Sequence, residues 1–118
     1  MYAPAVLAAY RQLEIHGAAH VTGGGLAANL QRVLGTAVDA VITRGTWEVP
    51  PVFDLVAREG PVSPAEMERV FNLGIGMVMV VPAEQADEMI ELAGSHGHPA
   101  WVIGAVVQGQ GRAEMRDA

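Results

Sequence analysis

The residues best suited to chemistry lie in a glycine-rich segment, residues 20–26, whose sequence is HVTGGGL. A short apolar run precedes the glycines, and apolar residues follow them at the i, i+4, i+7 and i+8 positions of one helix face. The segment is therefore predicted to join a strand to a helix. The first N–H groups of a helix lack partners and attract anions, and glycine lets a phosphate reach the backbone. Thr22 can cap the helix or bind the anion, and His20 can add a donor. The alternative interpretation is a tight turn that binds nothing.

A second glycine-bearing segment, residues 71–77 with the sequence FNLGIGM, opens a continuously apolar run. Such a run is typical of a central strand that is covered on both faces. Gly74 and Gly76 are unusual in a strand, and they indicate either a bend or the close approach of another backbone or a ligand. Trp47 lies in a loop whose prolines exclude a helix, and it is predicted to be a packing anchor.

Helices and strands alternate along the chain and must position both segments. Hydrophobic spacing and end signals predict helices over residues 4–14, from Leu26 onward, and over 51–59, 64–72 and 83–93. Apolar runs predict strands over 18–21, 37–43, 75–81 and 100–107, with a short edge strand after residue 111. Ser63 and Glu66 form the pattern of a capping box. The strand-helix-strand order from 75 to 107 predicts a crossover between neighbouring strands, and the whole pattern favours a mixed sheet with helices packed on it.

Composition restricts the classes of function. The chain has 118 residues and a net charge of -6, so we expect one domain, or part of one, that does not bind nucleic acid. Hydrophobic residues make up 51% and charged residues 17%, which leaves apolar surface for a partner. The absence of cysteine suits a cytoplasmic protein, and no apolar run approaches the ~20 residues of a membrane span. His96 and His98 are interpreted as surface loop residues, and no metal ligands are assigned.

Both glycine segments, in this order and at this separation, resemble the C-terminal domain of the aminoimidazole ribonucleotide synthetase family, also called phosphoribosylformylglycinamidine cyclo-ligases. Asn29 and the RVL of residues 32–34 belong to the first match, and the loop 47–53 and the strand 101–104 also match. The resemblance thus covers nearly the whole chain. Gln31 stands where the family usually has proline, and Leu73 where methionine or another apolar residue is common, but neither departure removes a proposed contact.

The resemblance implies an α+β fold, a three-layer α/β/α arrangement with a mixed β-sheet, and a single substrate-side domain over residues 1–118. The family's N-terminal domain, which carries most of the ATP site and the main dimer contacts, has no counterpart here. By this resemblance the chain is a fragment, with Met1 an added start, and is expected to be inactive alone. The full enzyme uses ATP and magnesium to activate the formyl amide oxygen of formylglycinamidine ribonucleotide, and ring closure yields aminoimidazole ribonucleotide, ADP and phosphate.

The resemblance also places the TGGG turn near the substrate phosphate, in agreement with the backbone argument. The implied phosphate-binding residues are Thr22, Gly23, Gly24 and Gly25, with His20 and Asn72 as neighbours. Their role would be positioning rather than proton transfer, and the sequence assigns no catalytic base. The implied partners are the substrate, the missing ATP-binding domain and further copies in a homo-oligomer, a homodimer in the full enzyme. ATP and magnesium would bind the full-length cytoplasmic enzyme rather than this fragment, and neither nucleic acid nor membrane is implied.

Two alternatives remain open. One is a domain of a related ATP-dependent enzyme with the same two-domain plan, such as selenophosphate synthetase, a hydrogenase maturation factor or thiamine-phosphate kinase. The pairing of the two glycine segments argues against this. The other is a stand-alone phosphate-binding or interaction module whose exposed apolar surface makes a homo-oligomer.

Overall fold

A computed structural model describes residues 2–118, which form five α-helices and five strands. The helices are α1 (Ala3–Gln12), α2 (Leu26–Gln31), α3 (Pro51–Glu59), α4 (Pro64–Val70) and α5 (Ala86–Ser95), the last preceded by a 3-10 turn (Ala83–Gln85). The strands are β1 (Gly17–His20), β2 (Val38–Thr43), β3 (Met77–Val80), β4 (Gly104–Gln108) and β5 (Ala113–Arg116). The predicted α+β class is confirmed, and the predicted helices and strands all form, most with ends displaced by a few residues. No helix of residues 2–118 is long and apolar enough to cross a membrane.

Local end signals explain the helix boundaries that agree best. The α3 helix begins at Pro51 and ends at Glu59, as predicted, because proline suits the first turn and Gly60 follows as the cap. Ser63 caps α4, and its Oγ accepts a hydrogen bond from the backbone N–H of Glu66 at 3.2 Å. The carboxylate of Glu66 pairs with Arg69 one turn along, so only half of the capping box is formed.

The strands divide into two sheets. β1 and β3 form an antiparallel pair in which Gly17 lies opposite Val80 and His20 opposite Met77. β2 is the centre of a mixed sheet of order β4-β2-β5, antiparallel to β4 and parallel to β5. The predicted mixed sheet and the edge strand after residue 111 are therefore confirmed.

Two predictions about β3 and β4 are wrong. The crossover over 75–107 does not occur, because β3 pairs with β1 whereas β4 pairs with β2, and α5 carries the chain from one sheet to the other. β3 is consequently not a central strand, since its sheet has two strands. The apolar run at 100–107 enters its strand only at Gly104.

A cluster of buried apolar residues supports the glycine-rich segments. It includes residues of α2 and of both sheets, and it consists of Ala19, Val21, Leu26, Leu30, Ala40, Ile42, Trp47, Ile75 and Val78. Leu26 and Ile42 are only 2% and 1% exposed. Because the first residue of α2 is a core residue, the loop before it is tied to the centre of the molecule.

The carboxylate of Asp39 anchors the turn between β4 and β5. Its Oδ1 accepts hydrogen bonds from the N–H groups of Gln110, Gly111 and Arg112 at 2.8, 3.0 and 2.9 Å. These hydrogen bonds, the one from Arg112 foremost, lower the pKa of Asp39 below its ordinary value.

We expect Asp39→Asn to lower the stability of the protein at neutral pH, because an amide oxygen accepts these bonds more weakly than a carboxylate does. A lowered pKa in the folded state gives stability that is present above the unfolded pKa of about 3.9 and is lost as the pH falls through the folded pKa. Urea unfolding from pH 7 down to pH 2 should therefore show a difference in stability between wild type and variant that is constant above about pH 5 and shrinks below it. A difference that stays constant to pH 2 would contradict this role of the carboxylate.

Candidate functional site

The two glycine-bearing segments meet at one cleft. The pairing of His20 with Met77 places the end of β1 beside the start of β3, and the N–H of Val21 extends this pairing by donating to the carbonyl of Gly76 at 2.9 Å. The cleft has a volume of about 340 Å³, and its lining residues are Val21, Thr22, Gly23, Phe53, Val70, Phe71 and Asn72. Three of the predicted site residues, from segments about 50 positions apart in the sequence, thus lie on one surface.

The three glycines of the loop differ in their surroundings. A Cβ added to Gly23 would meet no atom within 4 Å, and Gly23 lines the cleft. Gly24 has a φ of +102°, which residues other than glycine rarely adopt, but an added Cβ would meet no atom closer than 3.8 Å. Gly25 has a φ of +85°, and a Cβ there would collide with the carbonyl oxygen of Glu68 in α4. Gly23 is therefore the glycine most open to a ligand, whereas Gly25 is required for packing.

Thr22 does not cap α2, so the first of the two alternatives for this residue, helix capping, is wrong. The N-cap residue is Gly25, which has no side chain with which to cap the helix. The helix α2 has only six residues. The hydroxyl of Thr22 instead donates to Oδ1 of Asn29 at 3.4 Å. Such a short helix offers little dipole, so any anion at this loop would depend on the loop's own N–H groups.

Asn29 is the polar residue beneath the loop that sequence reasoning missed. It is 5% exposed. Its Nδ2 donates to the carbonyl oxygen of Gly25 at 2.7 Å and also to those of Thr22 and Gly23 at 3.2 and 3.4 Å. Its Oδ1 accepts from Arg32 Nη1 at 3.2 Å. The sequence did contain a signal for this role, since Asn29 lies one turn into a helix whose buried face is apolar. A buried amide needs hydrogen-bond partners, and the nearby loop can supply them.

Asn72 shapes the second wall of the cleft. Its Oδ1 accepts from the N–H of Gly74 at 2.9 Å, and its carbonyl accepts from the N–H of Ile75 at 3.1 Å. Leu73 between them has a φ of +53°, a conformation that non-glycine residues rarely adopt. Trp47, which is 8% exposed, donates from Nε1 to the carbonyl of Leu73 at 3.1 Å. The prediction that Trp47 is a packing anchor is confirmed, and the residue it anchors is next to Asn72.

At Gly74 and Gly76, where the sequence predicted either a bend or the approach of another backbone or a ligand, the nearest atoms belong to side chains of this chain. A Cβ on Gly74 would lie 2.5 Å from Cδ of Pro50, and a Cβ on Gly76 would collide with the hydroxyl of Tyr2. The Tyr2 ring also packs against His20, with the ring centroids 6.1 Å apart. His20 is not among the residues that line the cleft. The structure thus places His20 on the Tyr2 side of β1, apart from Thr22 and Gly23.

Two arginines surround the loop in different ways. Nε and Nη2 of Arg44 bind the carboxylate of Glu68 at 2.6 and 2.9 Å, which raises the pKa of Arg44 and fastens β2 to α4, the helix that Gly25 contacts. Arg32 has no carboxylate within 4.0 Å among residues 2–118. An ion pair therefore lies on one side of the loop, and on another side lies a guanidinium that has no carboxylate partner in the described part of the chain. No three carboxylate or histidine side chains within residues 2–118 group closely enough to hold a metal ion.

A second cleft, of about 960 Å³, is larger and mostly apolar. Parts of α1, β3, α5 and β4 line it. Val102, which lines this cleft, is 56% exposed. On α1, Leu7 and Tyr10, which do not line it, are 56% and 55% exposed.

Comparison with known proteins identifies similar chains. A family model described as AIR synthase related protein, C-terminal domain, matches residues 1–116. A phosphoribosylformylglycinamidine cyclo-ligase from Symbiobacterium thermophilum is 49% identical over 106 residues, which are 90% of this chain and 30% of that protein. A protein of the same name from Nitrosospira multiformis is 46% identical over 106 residues, with the same coverage of each chain. The chain thus spans 30% of the length of these relatives.

Proposed function

Because the chain belongs to the family of AIR synthase related protein C-terminal domains, we propose that it is the substrate-side domain of a phosphoribosylformylglycinamidine cyclo-ligase. In this proposal, the loop of residues 22–25 holds the phosphate of formylglycinamidine ribonucleotide. The observation that carries it is the cleft shared by Thr22, Gly23 and Asn72, in a chain 49% identical to a named cyclo-ligase. His20 would lie at the margin of the site, on the Tyr2 side.

The contribution of this chain to the reaction would be binding and orientation. Backbone N–H groups held rigidly by the fold can fix a phosphate dianion without reorganising, and a fixed phosphate places the rest of the ribonucleotide relative to a second domain. Phe53 and Phe71, whose centroids are 6.0 Å apart, give the cleft an apolar wall next to the polar loop. A ligand with one anionic end and a less polar body suits such a wall.

The rest of the chemistry would belong to the remainder of the enzyme. ATP and magnesium would be bound by an N-terminal domain of the full-length enzyme. That domain would cover the apolar side chains that line the larger cleft, such as Val102, which is 56% exposed. The full enzyme would be a cytoplasmic homodimer of purine biosynthesis, and the present chain alone would not catalyse ring closure.

We expect the ribonucleotide and inorganic phosphate to shift the backbone amide signals of residues 22–26 in ¹⁵N-labelled protein, with the ribonucleotide also shifting that of Asn72. ATP should act no more strongly than inorganic phosphate, because its nucleoside has no site here. Gly23→Val should abolish these shifts, since its side chain would point into open space at the cleft and exclude the phosphate without disturbing packing.

The matched control is Gly94→Val, which also adds a side chain where no atom lies within 4 Å but in α5, away from the cleft. It should leave the titration unchanged. Shifts that appear only outside residues 22–26 and 72, or that persist in Gly23→Val, would refute the proposed site.

A further inference from the structure

Asn29 controls the direction in which the peptide groups of the loop face. Its side-chain nitrogen lies 2.7 Å from the carbonyl oxygen of Gly25 and 3.2 and 3.4 Å from those of Thr22 and Gly23. Because Asn29 is 5% exposed, these carbonyl groups point inward, toward the core side of the loop.

The opposite ends of the same peptide groups must then point outward. No peptide bond among residues 2–118 is cis, and in a trans peptide the N–H points opposite to the C=O. The N–H groups concerned are those of Gly23, Gly24 and Leu26. None of the three donates a loop or cap hydrogen bond to another backbone group in the described chain. One buried side chain thus leaves three donors turned away from the core.

Arg32 is held at the edge of this arrangement by the same side chain. Its Nη1 donates to Oδ1 of Asn29 at 3.2 Å, and its Nη2 lies 3.8 Å from the position that a Cβ on Gly24 would take. No carboxylate of residues 2–118 lies within 4.0 Å of this guanidinium. A phosphate near the outward N–H groups would therefore have a cation at hand, and charge-assisted bonds of this kind are about twice as strong as neutral ones.

We infer that Asn29 is a positioning residue for phosphate binding and that Arg32 is the cation that contacts the phosphate. Asn29 would act without touching the ligand, by directing the N–H groups of Gly23, Gly24 and Leu26 toward it and by restraining Arg32. This inference rests on the proposed function, since it assigns roles to two residues that contact the proposed phosphate-binding loop.

The test is a titration of the ¹⁵N-labelled 118-residue chain with inorganic phosphate and, separately, with formylglycinamidine ribonucleotide. Asn29→Ala should raise the dissociation constant for both ligands by about tenfold or more, because the loop loses the bonds that orient its donors. Arg32→Gln should raise it by about tenfold, and Arg32→Lys should restore most of the affinity because the charge is kept.

Two controls separate positioning from general destabilisation. Leu30→Ala removes a side chain that is 3% exposed from the same helix without touching the loop carbonyls, and Arg11→Gln removes one positive charge from α1. Leu30→Ala should lower the melting temperature while leaving the phosphate dissociation constant of the folded protein unchanged, and Arg11→Gln should change that constant less than twofold.

The outcomes distinguish this inference from the proposed function. If wild type shows no phosphate-dependent shift at residues 22–26, both are overturned. If wild type binds there but Asn29→Ala and Arg32→Gln bind equally well, the proposed function stands and the roles of Asn29 and Arg32 are refuted. An effect of Leu30→Ala on affinity as large as that of Asn29→Ala would also overturn the positioning role.

Discussion

Replacing Gly25 with alanine is expected to destabilise the protein by about 3 kcal/mol, the larger part from steric overlap. The φ of Gly25 is +85°, and a Cβ there would collide with the carbonyl oxygen of Glu68 and lie 3.0 Å from that of Arg69. These atoms belong to the backbone of α4, so the overlap cannot be relieved by rotating a side chain. The bidentate pair of Arg44 with Glu68 further restrains α4 from moving aside. Urea unfolding at 25 °C measures the loss.

The neighbouring glycines provide the controls for this prediction. Gly24→Ala should cost about 1 kcal/mol, because its φ of +102° is unfavourable but its Cβ side is open. Gly23→Ala should change stability by less than about 0.5 kcal/mol, since no atom lies within 4 Å of the new Cβ. Equal losses at all three positions would show that the loop does not pack against α4 as described.

The order of these stability losses at Gly25, Gly24 and Gly23 could not be predicted from the sequence, although the presence of the loop could. Three consecutive glycines between a strand and a helix predict a tight turn or an anion site, and the turn is where it was expected. Which glycine faces solvent and which faces α4 depends on contacts with residues more than 40 positions later in the chain. The spacing of residue types within the loop and its neighbours does not predict such long-range contacts.

The same division applies to the fold. The ends of α3 and the Ser63 cap of α4 were predictable because proline, serine and glycine act on the backbone within a few residues. The partner of β3 was not predictable, because a continuous apolar run indicates a strand without identifying the neighbouring strand, and the predicted crossover failed for that reason.

The candidate site shows an intermediate case. The resemblance pointed to Thr22, Gly23 and Asn72, and the β1–β3 register brings them to one cleft. It also pointed to His20, which does not line the cleft and whose ring centroid lies 6.1 Å from that of Tyr2. Asn29 belonged to the matched motif but had no assigned role. Its hydrogen bonds to the loop carbonyl groups depend on the path of the loop relative to α2, which the sequence does not give.

Replacing Trp47 with alanine is expected to cost about 3–5 kcal/mol of stability and to weaken phosphate binding in the protein that remains folded. The indole is 8% exposed within the core, and its Nε1 donates to the carbonyl of Leu73 at 3.1 Å. Leu73 has a φ of +53°, so its backbone conformation is maintained by its neighbours rather than by its own preference. The control is Trp101→Ala, because Trp101 is 40% exposed and its loss should cost much less. Urea unfolding of both variants tests the difference, and similar losses would contradict the anchoring role.

Trp47→Phe separates the two contributions of this side chain, since phenylalanine keeps much of the buried ring but cannot donate to Leu73. The loss of stability attributable to the hydrogen bond should be about 1 kcal/mol. Without that bond, the turn at Leu73 and Gly74 is held by Asn72 Oδ1 and by the contact of Pro50 with Gly74. Amide hydrogen exchange should therefore accelerate at Gly74 and Ile75 while the exchange of β2 stays unchanged. If exchange at Gly74 is unaltered in Trp47→Phe, the turn that presents Asn72 does not depend on the indole N–H, and the link from Trp47 to the cleft is through packing alone.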